Sequence, residues 1–319
     1  MRILLIRPPV PRRTIGLKNI MVCEPLELEY LAAALGDHEV QIMDMILERG
    51  LEARLRSFEP EMVGTSCYIS GVNEVKKLCR TVKRHNPECF TVVGGVQAAR
   101  CSDDFIEPSI DCIALGGDPG VMREIAEALE TRRPLSEVPG LALRHEGHLH
   151  QTASADYMPC PDTLPLPRRD LVAHLNHRYY YAFHQPVALV KSTWGCWYQC
   201  NFCYTWRITD GHVYSRSPES IVDELETIEA GDIYIVDDIF LINRHRLSRL
   251  AELIRERGID KKFLVYSRAD FICDNEDIIA EWASIGLRAV FIGLEASTDA
   301  ELESMQKRCT VDKNRLAVE

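Results

Sequence analysis

Short apolar segments alternate with amphipathic segments along most of the chain, and this alternation constrains the fold more than any other feature. In residues 1–150, the runs ILLIRP, EMVGTSCY and CFTVVGG have the apolar character of buried strands. Segments such as EPLELEYLAAAL and VNEVKKLCRTVKRH place apolar residues at helical spacing between those runs. Buried strands that alternate with helices are typical of a parallel sheet with helices on both faces. The sequence therefore predicts an α/β, doubly wound domain of Rossmann or flavodoxin type over residues 1–150.

Three strands of this predicted sheet end in small residues. In doubly wound sheets, ligands bind beyond the carboxyl ends of the strands, where the backbone must approach them closely. The glycines could instead form simple turns, but two Gly-Gly pairs at matching strand ends favour a ligand site. The candidate residues are Ser66, Gly94, Gly95, Gly116 and Gly117.

A hairpin and a proline-rich connector are predicted after this domain. The segment GLALRHEGHLHQT has the pattern of a β-hairpin with Gly147 at its turn. In residues 151–184, the run MPCPDTLPLPRRD (158–170) repeats proline, which disfavours helices and cannot donate hydrogen bonds to a sheet. We therefore expect residues 151–184 to form an extended linker between two domains.

Residues 185–319 repeat a strand–helix unit four times, with the strands PVALVKST, DIYIVDD, KFLVYSRAD and RAVFIGLEA. Ser217 is a candidate N-cap of the first long helix, and Ser297 or Thr298 is a candidate for the last. A complete eightfold barrel takes roughly 250 residues. The sequence therefore predicts a partial TIM-type barrel, and we expect the chain to be truncated at its carboxyl end.

Composition excludes several classes of protein. The formal net charge is −11, which argues against a general nucleic-acid binder because phosphate binding needs basic patches. No apolar run approaches the ~18 residues that a membrane-spanning helix needs, and MRILLIRPPV is predicted to be a strand rather than a signal peptide. We expect a cytoplasmic protein with reduced thiols. Nine of its twelve cysteines are scattered and are interpreted as small apolar residues.

The other three cysteines, Cys196, Cys200 and Cys203, form the pattern C-x3-C-x2-C after the first strand of the second domain. A structural zinc site takes four ligands, and His212 is the only nearby candidate for a fourth. A cubane iron–sulfur cluster held by three cysteines keeps one iron open to an outside ligand, which an amine and a carboxylate of a substrate would suit. Electron-transfer modules of ferredoxin type supply four cysteines, and this loop supplies three.

This pattern, with Phe202 before the last cysteine, resembles the radical S-adenosylmethionine enzymes. The resemblance implies that Cys196, Cys200 and Cys203 bind a 4Fe-4S cluster and that the open iron chelates S-adenosylmethionine. It also implies polar contacts to S-adenosylmethionine from residues beside the cluster and at the ends of later strands. Alternatively, the charged ones are solvated or form salt bridges. These residues are Tyr204, Asp237, Asp238, Arg268 and Glu295.

The two domains together resemble the cobalamin-binding radical enzymes through three segments: EPLELEYLAAAL, VVGGVQAA and ALGGDPGVMREIAEAL. The resemblance implies that cobalamin binds at the carboxyl ends of the strands of the first domain. The motif D-x-H-x-x-G is absent there, so we expect no histidine on the cobalt. The implied cobalamin residues are Ser66, Gly94, Gly95, Val96, Gly116 and Gly117.

Within that group, RPLSEVPGLAL, IYIVDDIFLIN and FIGLEASTDAELESMQKRCTVDKN resemble the hopanoid C-3 methylases in order and spacing. The resemblance implies methylation of an unactivated carbon, on a hopanoid- or lipid-like substrate, through a 5′-deoxyadenosyl radical and methylcobalamin. It also implies an external electron donor of flavodoxin or ferredoxin type. The alternatives are a cobalamin-dependent radical enzyme that rearranges or cyclises its substrate, and a non-catalytic iron–sulfur module.

Overall fold

The structure is a computed structural model that describes residues 1–11, 19–145, 147–155 and 160–319. It divides into two compact units, one of residues 1–159 and 163–178 and the other of residues 160–162 and 179–319. Glu146 of the predicted hairpin and residues 156–159 of the predicted linker lie outside the described residues. The domain boundaries predicted at residues 150 and 185 stay a prediction.

The first unit is built on a seven-stranded sheet in which five parallel strands are extended by an antiparallel hairpin. The order across the sheet is β3-β1-β4-β5-β6-β7-β8. The predicted hairpin is therefore the antiparallel edge of the same sheet. The strands of this unit are β1 (Arg2–Arg7), β2 (Met21–Val22), β3 (Glu39–Asp44), β4 (Met62–Ser66), β5 (Phe90–Gly94), β6 (Cys112–Ala114), β7 (Leu141–His145) and β8 (His148–Gln151).

Helices cover both faces of this sheet. Leu4 and Val63 face the core that contains Val75 and Leu78 of α3. Gly64, the next residue of β4, faces the opposite side and approaches Met122 of α5. Successive residues of a strand point to opposite faces, so the predicted doubly wound fold is confirmed. The helices are α1 (Leu26–Ala34), α2 (Leu51–Phe58), α3 (Val72–His85), α4 (Val96–Arg100) and α5 (Gly120–Thr131).

The second unit contains a four-stranded parallel sheet in the order β10-β13-β14-β15, as expected for half of a (βα) barrel. A short antiparallel pair, β11 with β12, follows the first barrel strand. The strands are β9 (Tyr180–Tyr181), β10 (Val187–Val190), β11 (Thr193–Trp194), β12 (Tyr214–Ser215), β13 (Asp232–Ile235), β14 (Lys262–Arg268) and β15 (Leu287–Gly293).

The helices of this unit begin where the capping residues predict. Ser217 accepts a hydrogen bond from the backbone N–H of Ser220, and Thr298, rather than Ser297, accepts one from Glu301. The apolar faces of α7, α8 and α10 pack on one face of the sheet, around the fully buried Trp282. The helices are α6 (Thr205–Ile208), α7 (Pro218–Thr227), α8 (Arg244–Glu256), α9 (Ala269–Asp274), α10 (Glu276–Ser284), α11 (Asp299–Ser304) and α12 (Val311–Leu316).

Aromatic residues line the other face of this sheet. Tyr234, Tyr266 and Phe291 stand on neighbouring strands, with ring centroids 5.5 Å and 4.9 Å apart. Tyr181, from the aromatic run 177–184, adds a fourth ring 4.9 Å from that of Tyr234. This face therefore presents a row of rings to the inside of the barrel.

The predicted linker is less extended than its prolines suggest. Pro161–Thr163 and Arg169–Arg178 form 3-10 helices, and only residues 164–168 between them lack regular structure. Proline is tolerated in the first turn of a helix because its missing N–H has no partner there. Within the described ranges, every helix is too short or too polar to span a bilayer.

Candidate functional site

The predicted ligand residues of the first unit meet at one edge of its sheet. Ser66 and Gly94 are paired in register as the last residues of β4 and β5, and β6 lies beside β5. Gly95 has a φ of 91°, and a Cβ atom there would lie 2.8 Å from the backbone nitrogen of Cys67. Only glycine fits this close approach. The turn after β5 therefore packs against the backbone of Cys67 and leaves space beyond the ends of the strands.

The loop after β6 also borders open space, at Gly116. A Cβ atom at Gly116 would meet nothing within 4 Å. Asp118 follows Gly117 and accepts a hydrogen bond of 2.9 Å from the backbone N–H of Gly120, at the start of α5. Val96, the first residue of α4, is half-buried. The structure therefore brings the six predicted residues to three adjacent strand ends, a surface suited to a flat ligand; their individual contacts stay a prediction.

A group of buried charges lies beside this edge and was not found from the sequence. Arg7, the last residue of β1, forms a bidentate ion pair with the buried Asp44, the last residue of β3. Glu24 pairs with Arg169 at 3.4 Å. Glu29 in α1 is fully buried, and neither of its carboxyl oxygens has a hydrogen-bond partner. Burial is the main cause that raises the pKa of Glu29 well above its ordinary value.

In the second unit, the loop with the three cysteines begins at a glycine that no other residue could replace without a steric clash. Gly195 is buried, has a φ of 88°, and a Cβ atom there would lie 2.1 Å from the carbonyl oxygen of His212. Its N–H donates a hydrogen bond of 2.8 Å to Asp238, at the end of the neighbouring strand β13. The glycine and the carboxylate together set the direction in which the loop leaves β11.

Asp237 holds the backbone just before this loop. Its carboxylate is fully buried and accepts hydrogen bonds from the backbone N–H groups of Ser192 and Thr193 and from the Ser192 hydroxyl. Burial raises the pKa of Asp237, and Lys191 and these hydrogen bonds oppose that effect. Both carboxylate oxygens accept hydrogen bonds within the protein, and the predicted contact between Asp237 and S-adenosylmethionine stays a prediction.

The three cysteines occupy one short loop. Cys200 is buried, and Cys196 and Cys203 are half-buried. Burial is the main cause that raises the pKa of Cys196; a backbone hydrogen bond from Tyr198 opposes it, and the neighbouring thiols Cys203 and Cys200 raise it further. In the described part of the chain, no three His, Cys, Asp or Glu side chains stand close enough to hold a metal ion. Three thiols on one short loop are the donor set of an iron–sulfur cluster that keeps one iron open to an outside ligand.

His212, the candidate fourth ligand of a zinc site, has one ring nitrogen engaged in a turn. Its Nδ1 lies 3.0 Å from the carbonyl oxygen of Thr209, and its own carbonyl accepts a hydrogen bond of 2.8 Å from the Thr209 hydroxyl. These contacts close the turn after the cysteine loop. They leave the three cysteines as the thiol donors of this site.

Arg268 and Glu295 stand at the ends of β14 and just past β15, and both have partners within the protein. The Arg268 guanidinium forms a two-pronged pair with Asp270 and lies 3.7 Å from the ring centroid of Tyr198. Burial alone would lower the pKa of Arg268, but the pair with Asp270 raises it above its ordinary value. Glu295, with a φ of 63°, binds the buried Lys307 at 3.0 Å.

Two of the predicted residues keep free acceptor capacity. Asp238 uses Oδ2 for the N–H of Gly195 and for Lys191, which leaves Oδ1 without a partner. Glu295 uses only Oε1, for Lys307. Tyr204, directly after Cys203, is 56% exposed. These three side chains are the ones from the predicted set that remain open to a ligand beside the cysteine loop.

Comparison with known proteins assigns both units. A family model of the B12 binding domain matches residues 13–126, and a model of the radical SAM superfamily matches residues 190–319. The chain belongs to the radical S-adenosylmethionine proteins that carry a B12-binding domain. The predicted family, and the two domains that the predicted cofactors require, are therefore confirmed.

Relatives of this radical S-adenosylmethionine protein include methylases and a cyclase. Hopanoid C-3 methylase of Methylococcus capsulatus is 31% identical over 95% of this chain. The anaerobic magnesium-protoporphyrin IX monomethyl ester cyclase of Cereibacter sphaeroides is 25% identical over 92% of it. This chain spans 59% of the methylase and 50% of the cyclase.

Two solved structures share the fold. The cobalamin-dependent S-adenosylmethionine radical enzyme OxsB, with aqua-cobalamin and S-adenosylmethionine bound, superposes with a TM-score of 0.81 at 19% identity, covering 99% of this chain and 47% of OxsB. The methyltransferase TsrM of Kitasatospora setae, with cobalamin and a [4Fe-4S] cluster bound, gives 0.76 at 18% identity, covering 99% of this chain and 64% of TsrM. The predicted fold class, a doubly wound domain plus a (βα) barrel, is confirmed.

Proposed function

We propose that this protein is a cobalamin-dependent radical S-adenosylmethionine methyltransferase that methylates an unactivated carbon of a hydrophobic small molecule. The observation that carries the proposal is the similarity to hopanoid C-3 methylase, which extends over 95% of the chain and so through both units. A lipid-like substrate is proposed by the same similarity. The row of aromatic rings on the inner face of the barrel supports an apolar substrate.

In this proposal, the cysteine loop of the second unit holds a 4Fe-4S cluster through Cys196, Cys200 and Cys203. The cluster supplies an electron for cleavage of S-adenosylmethionine, and cobalamin supplies the methyl group. Asp237 fixes the backbone that leads into the loop, which keeps the loop at the carboxyl end of β10. Barrel enzymes place their chemistry at that end of their strands.

S-adenosylmethionine has an ammonium group and a ribose that need acceptors. We assign these contacts to Asp238 and Glu295, because each has one carboxylate oxygen without a partner. Tyr204 supplies an exposed ring and hydroxyl beside the last cysteine. Arg268 is also among the residues predicted to contact S-adenosylmethionine, but its contacts with Asp270 and Tyr198 suit a positioning role better.

In the first unit, we assign cobalamin to the surface above the ends of β4, β5 and β6. Gly95 and Gly116 place no side chain on this surface, and Ser66 offers a hydroxyl at its rim. The loops 67–71, 95–101 and 115–119 contain no histidine. We therefore propose that these loops place no imidazole on the cobalt.

An external electron donor of flavodoxin or ferredoxin type and a cytoplasmic location belong to the same proposal. The buried cysteines Cys67, Cys79, Cys89 and Cys112 are thiols, which is what a reducing compartment maintains. Reduction of the cluster needs a low-potential electron donor. Neither of the two matched domains is a donor of that kind.

A product assay tests the proposal. Anaerobically reconstituted protein receives cobalamin, a strong reductant, a hopanoid-containing lipid extract and S-adenosylmethionine with a deuterated methyl group. We expect 5′-deoxyadenosine, S-adenosylhomocysteine and a lipid that carries the deuterated methyl group. Cys200→Ala is the matched negative control, because it removes one proposed cluster ligand.

The same assay separates the alternatives. Deoxyadenosine without S-adenosylhomocysteine would favour a ring-forming or rearranging enzyme, which the cyclase relatives at 22–25% identity make the second candidate. Neither product, from protein with a full complement of iron, would favour a non-catalytic iron–sulfur module.

A further inference from the structure

Two buried cations contact two of the three aromatic residues that lie between the proposed cluster ligands. Tyr198 lies between Cys196 and Cys200 in sequence, and the Arg268 guanidinium stands 3.7 Å from its ring centroid. Arg268 is 7% exposed. A cation over an aromatic face is attracted by the ring, and the attraction is stronger when water is excluded.

The second contact repeats the arrangement one cysteine later. Phe202 lies between Cys200 and Cys203, and Lys307 Nζ stands 5.9 Å from its ring centroid. Lys307 is 5% exposed, and its ammonium also binds Glu295 at 3.0 Å. Gly293 at the end of β15 makes room for it, because a Cβ atom there would lie 2.8 Å from this ammonium.

The segment that carries Lys307 also binds the loop through its backbone. The Asn201 N–H donates to the carbonyl of Met305 at 3.1 Å, and the Asn201 side chain donates to Ser304 at 2.8 Å. Arg268 donates to the carbonyl of Lys307 at 2.6 Å. The end of β14, the segment 304–308 and the cysteine loop are thus joined into one contact network.

We propose that Arg268 and Lys307 form a two-cation clamp, in which each cation holds one aromatic residue of the cysteine loop and thereby positions the thiols for the cluster. The inference rests on the proposed function for the identity of the ligand, and it adds two positioning residues to that site. The clamp also places two positive charges beside the cluster, which carries negative charge from its thiolates. Positive charge near a cluster raises its reduction potential.

The clamp is needed because the loop has little regular structure of its own. Residues 195–204 contain no strand and no helix. A loop of this kind samples many conformations unless side-chain contacts restrict it. An arginine suits the Tyr198 contact better than a lysine, because its flat guanidinium stacks on a ring while its edge binds Asp270.

Alkylation of the apoprotein tests the clamp without any cofactor. The rate at which iodoacetamide modifies the buried Cys200 is followed by peptide mass spectrometry. We expect Tyr198→Leu and Arg268→Met each to raise this rate about tenfold, which corresponds to the loss of one desolvated cation–ring contact. The fold increase in alkylation rate of the double variant should be smaller than the product of the two single increases, because both substitutions remove the same contact.

Two variants serve as matched controls. Tyr198→Phe keeps the ring face and should alkylate within about twofold of the wild type. Arg244→Gln removes another bidentate pair, with Asp277, on the exposed side of α8 and should also leave the rate unchanged. Equal rates for Tyr198→Leu and the wild type, or a rise in Tyr198→Phe as large as in Tyr198→Leu, would overturn the clamp. Because Tyr198→Leu leaves the Arg268–Asp270 pair intact, it tests the contact even if Arg268→Met does not fold.

A redox titration of the reconstituted protein provides the second measurement. The midpoint potential of the cluster, followed by electron paramagnetic resonance, should fall in Arg268→Met and in Lys307→Met and should stay unchanged in Arg244→Gln. Unchanged potentials with a normal iron content would overturn the electrostatic role of both cations. If wild-type protein binds no iron while the alkylation results hold, the proposed function fails and the loop clamp stands.

Discussion

Asp237 and Asp238 are neighbours in the sequence, but the structure gives them different tasks. Asp237 is fully buried and uses both carboxylate oxygens on backbone and hydroxyl donors. Asp238 is exposed and keeps one oxygen without a partner. Residue type alone predicts the same ligand role for both, because it does not report on which side of the strand end each side chain lies.

The buried carboxylate leads to a prediction about stability. We expect Asp237→Ala to lower the free energy of unfolding of the apoprotein by about 3 kcal/mol, because two buried N–H groups lose their acceptor. Urea denaturation measures the change. The control Asp277→Ala breaks an exposed pair with Arg244 and should cost less than about 1 kcal/mol. Equal effects of the two variants would contradict the role assigned to Asp237.

Glu29 is the residue that sequence reasoning missed altogether. It stands in EPLELEYLAAAL, where a charged residue in a helical pattern is expected to face solvent, yet it is fully buried. The charges around it are Glu24, Glu27, Arg169 and Arg7, so no neighbour supplies one dominant countercharge. A signal was present in the sequence, since Leu26, Leu28, Tyr30 and Ala32 leave little polar surface on this helix.

The raised pKa of Glu29 makes stability depend on pH. The folded protein keeps a proton that the unfolded chain releases above its ordinary pKa, so stability from this group is present at low pH and lost as pH rises. We expect Glu29→Gln to remove a slope of up to about 1.4 kcal/mol per pH unit. Urea denaturation at several pH values measures it, with the exposed Glu52→Gln as control. An unchanged slope in Glu29→Gln would refute the assignment.

At the scale of elements, the cysteine loop depends on one glycine. Gly195→Ala should lower the free energy of unfolding by about 3 kcal/mol and prevent cluster binding, because its methyl group would collide with the backbone of His212. Gly211→Ala is the matched control, since φ there is also positive, at 76°, but nothing lies within 4 Å. It should cost about 1 kcal/mol. Iron content and urea denaturation distinguish the two; similar losses in both would exclude the proposed collision.

The loops above the first sheet lead to a spectroscopic prediction. Since loops 67–71, 95–101 and 115–119 lack histidine, reduced Co(II) cobalamin bound to this protein should show no hyperfine coupling from an imidazole nitrogen. Electron paramagnetic resonance of the protein–cobalamin complex measures this coupling. A nitrogen triplet that becomes a doublet when the histidines of the protein are labelled with 15N would place a histidine from another segment on the cobalt and would contradict the assignment of the site to these loops alone.

The elements themselves followed closely from periodicity and capping. The helix predicted at VNEVKKLCRTVKRH is Val72–His85, and Ser217 caps the helix predicted after it in the second domain. The segment ILERGLEARLRSF (46–58) has the pattern of one helix, but the helix begins only at Leu51, after Gly50 in the left-handed conformation. Such shifts arise because the ends of helices depend on local backbone angles that apolar periodicity does not report.

At the scale of the whole molecule, the proposal of two cofactors in two units can be tested with one substitution. We expect Cys200→Ala to abolish cluster binding and to leave cobalamin binding unchanged, because its position and the proposed cobalamin surface belong to different units. Iron analysis and the cobalamin absorption spectrum measure both. Cys160→Ala, at an exposed cysteine outside the cysteine loop and outside the proposed cobalamin loops, should change neither. Loss of both cofactors in Cys200→Ala would contradict the division of the cofactors between the units.

The sequence by itself determined the two α/β domains, the strand ends that carry glycine, and the cysteine loop. These depend on local features: apolar periodicity, turn residues and a short cysteine spacing, all of which lie within a few residues of one another. It also placed candidate ligands at the ends of strands, because parallel strands bring their carboxyl ends to one edge.

Only the tertiary structure decided which of these side chains are open to a ligand. Asp237 became a buried acceptor, Arg268 a partner of Tyr198, and Lys307, which no motif marks, a neighbour of Phe202 and Glu295. Apart from the contact between Lys307 and Glu295, these contacts join residues from 44 to 105 positions apart. Pairings at such distances depend on how the strands are ordered and how side chains pack, and neither is encoded in the spacing of a single motif.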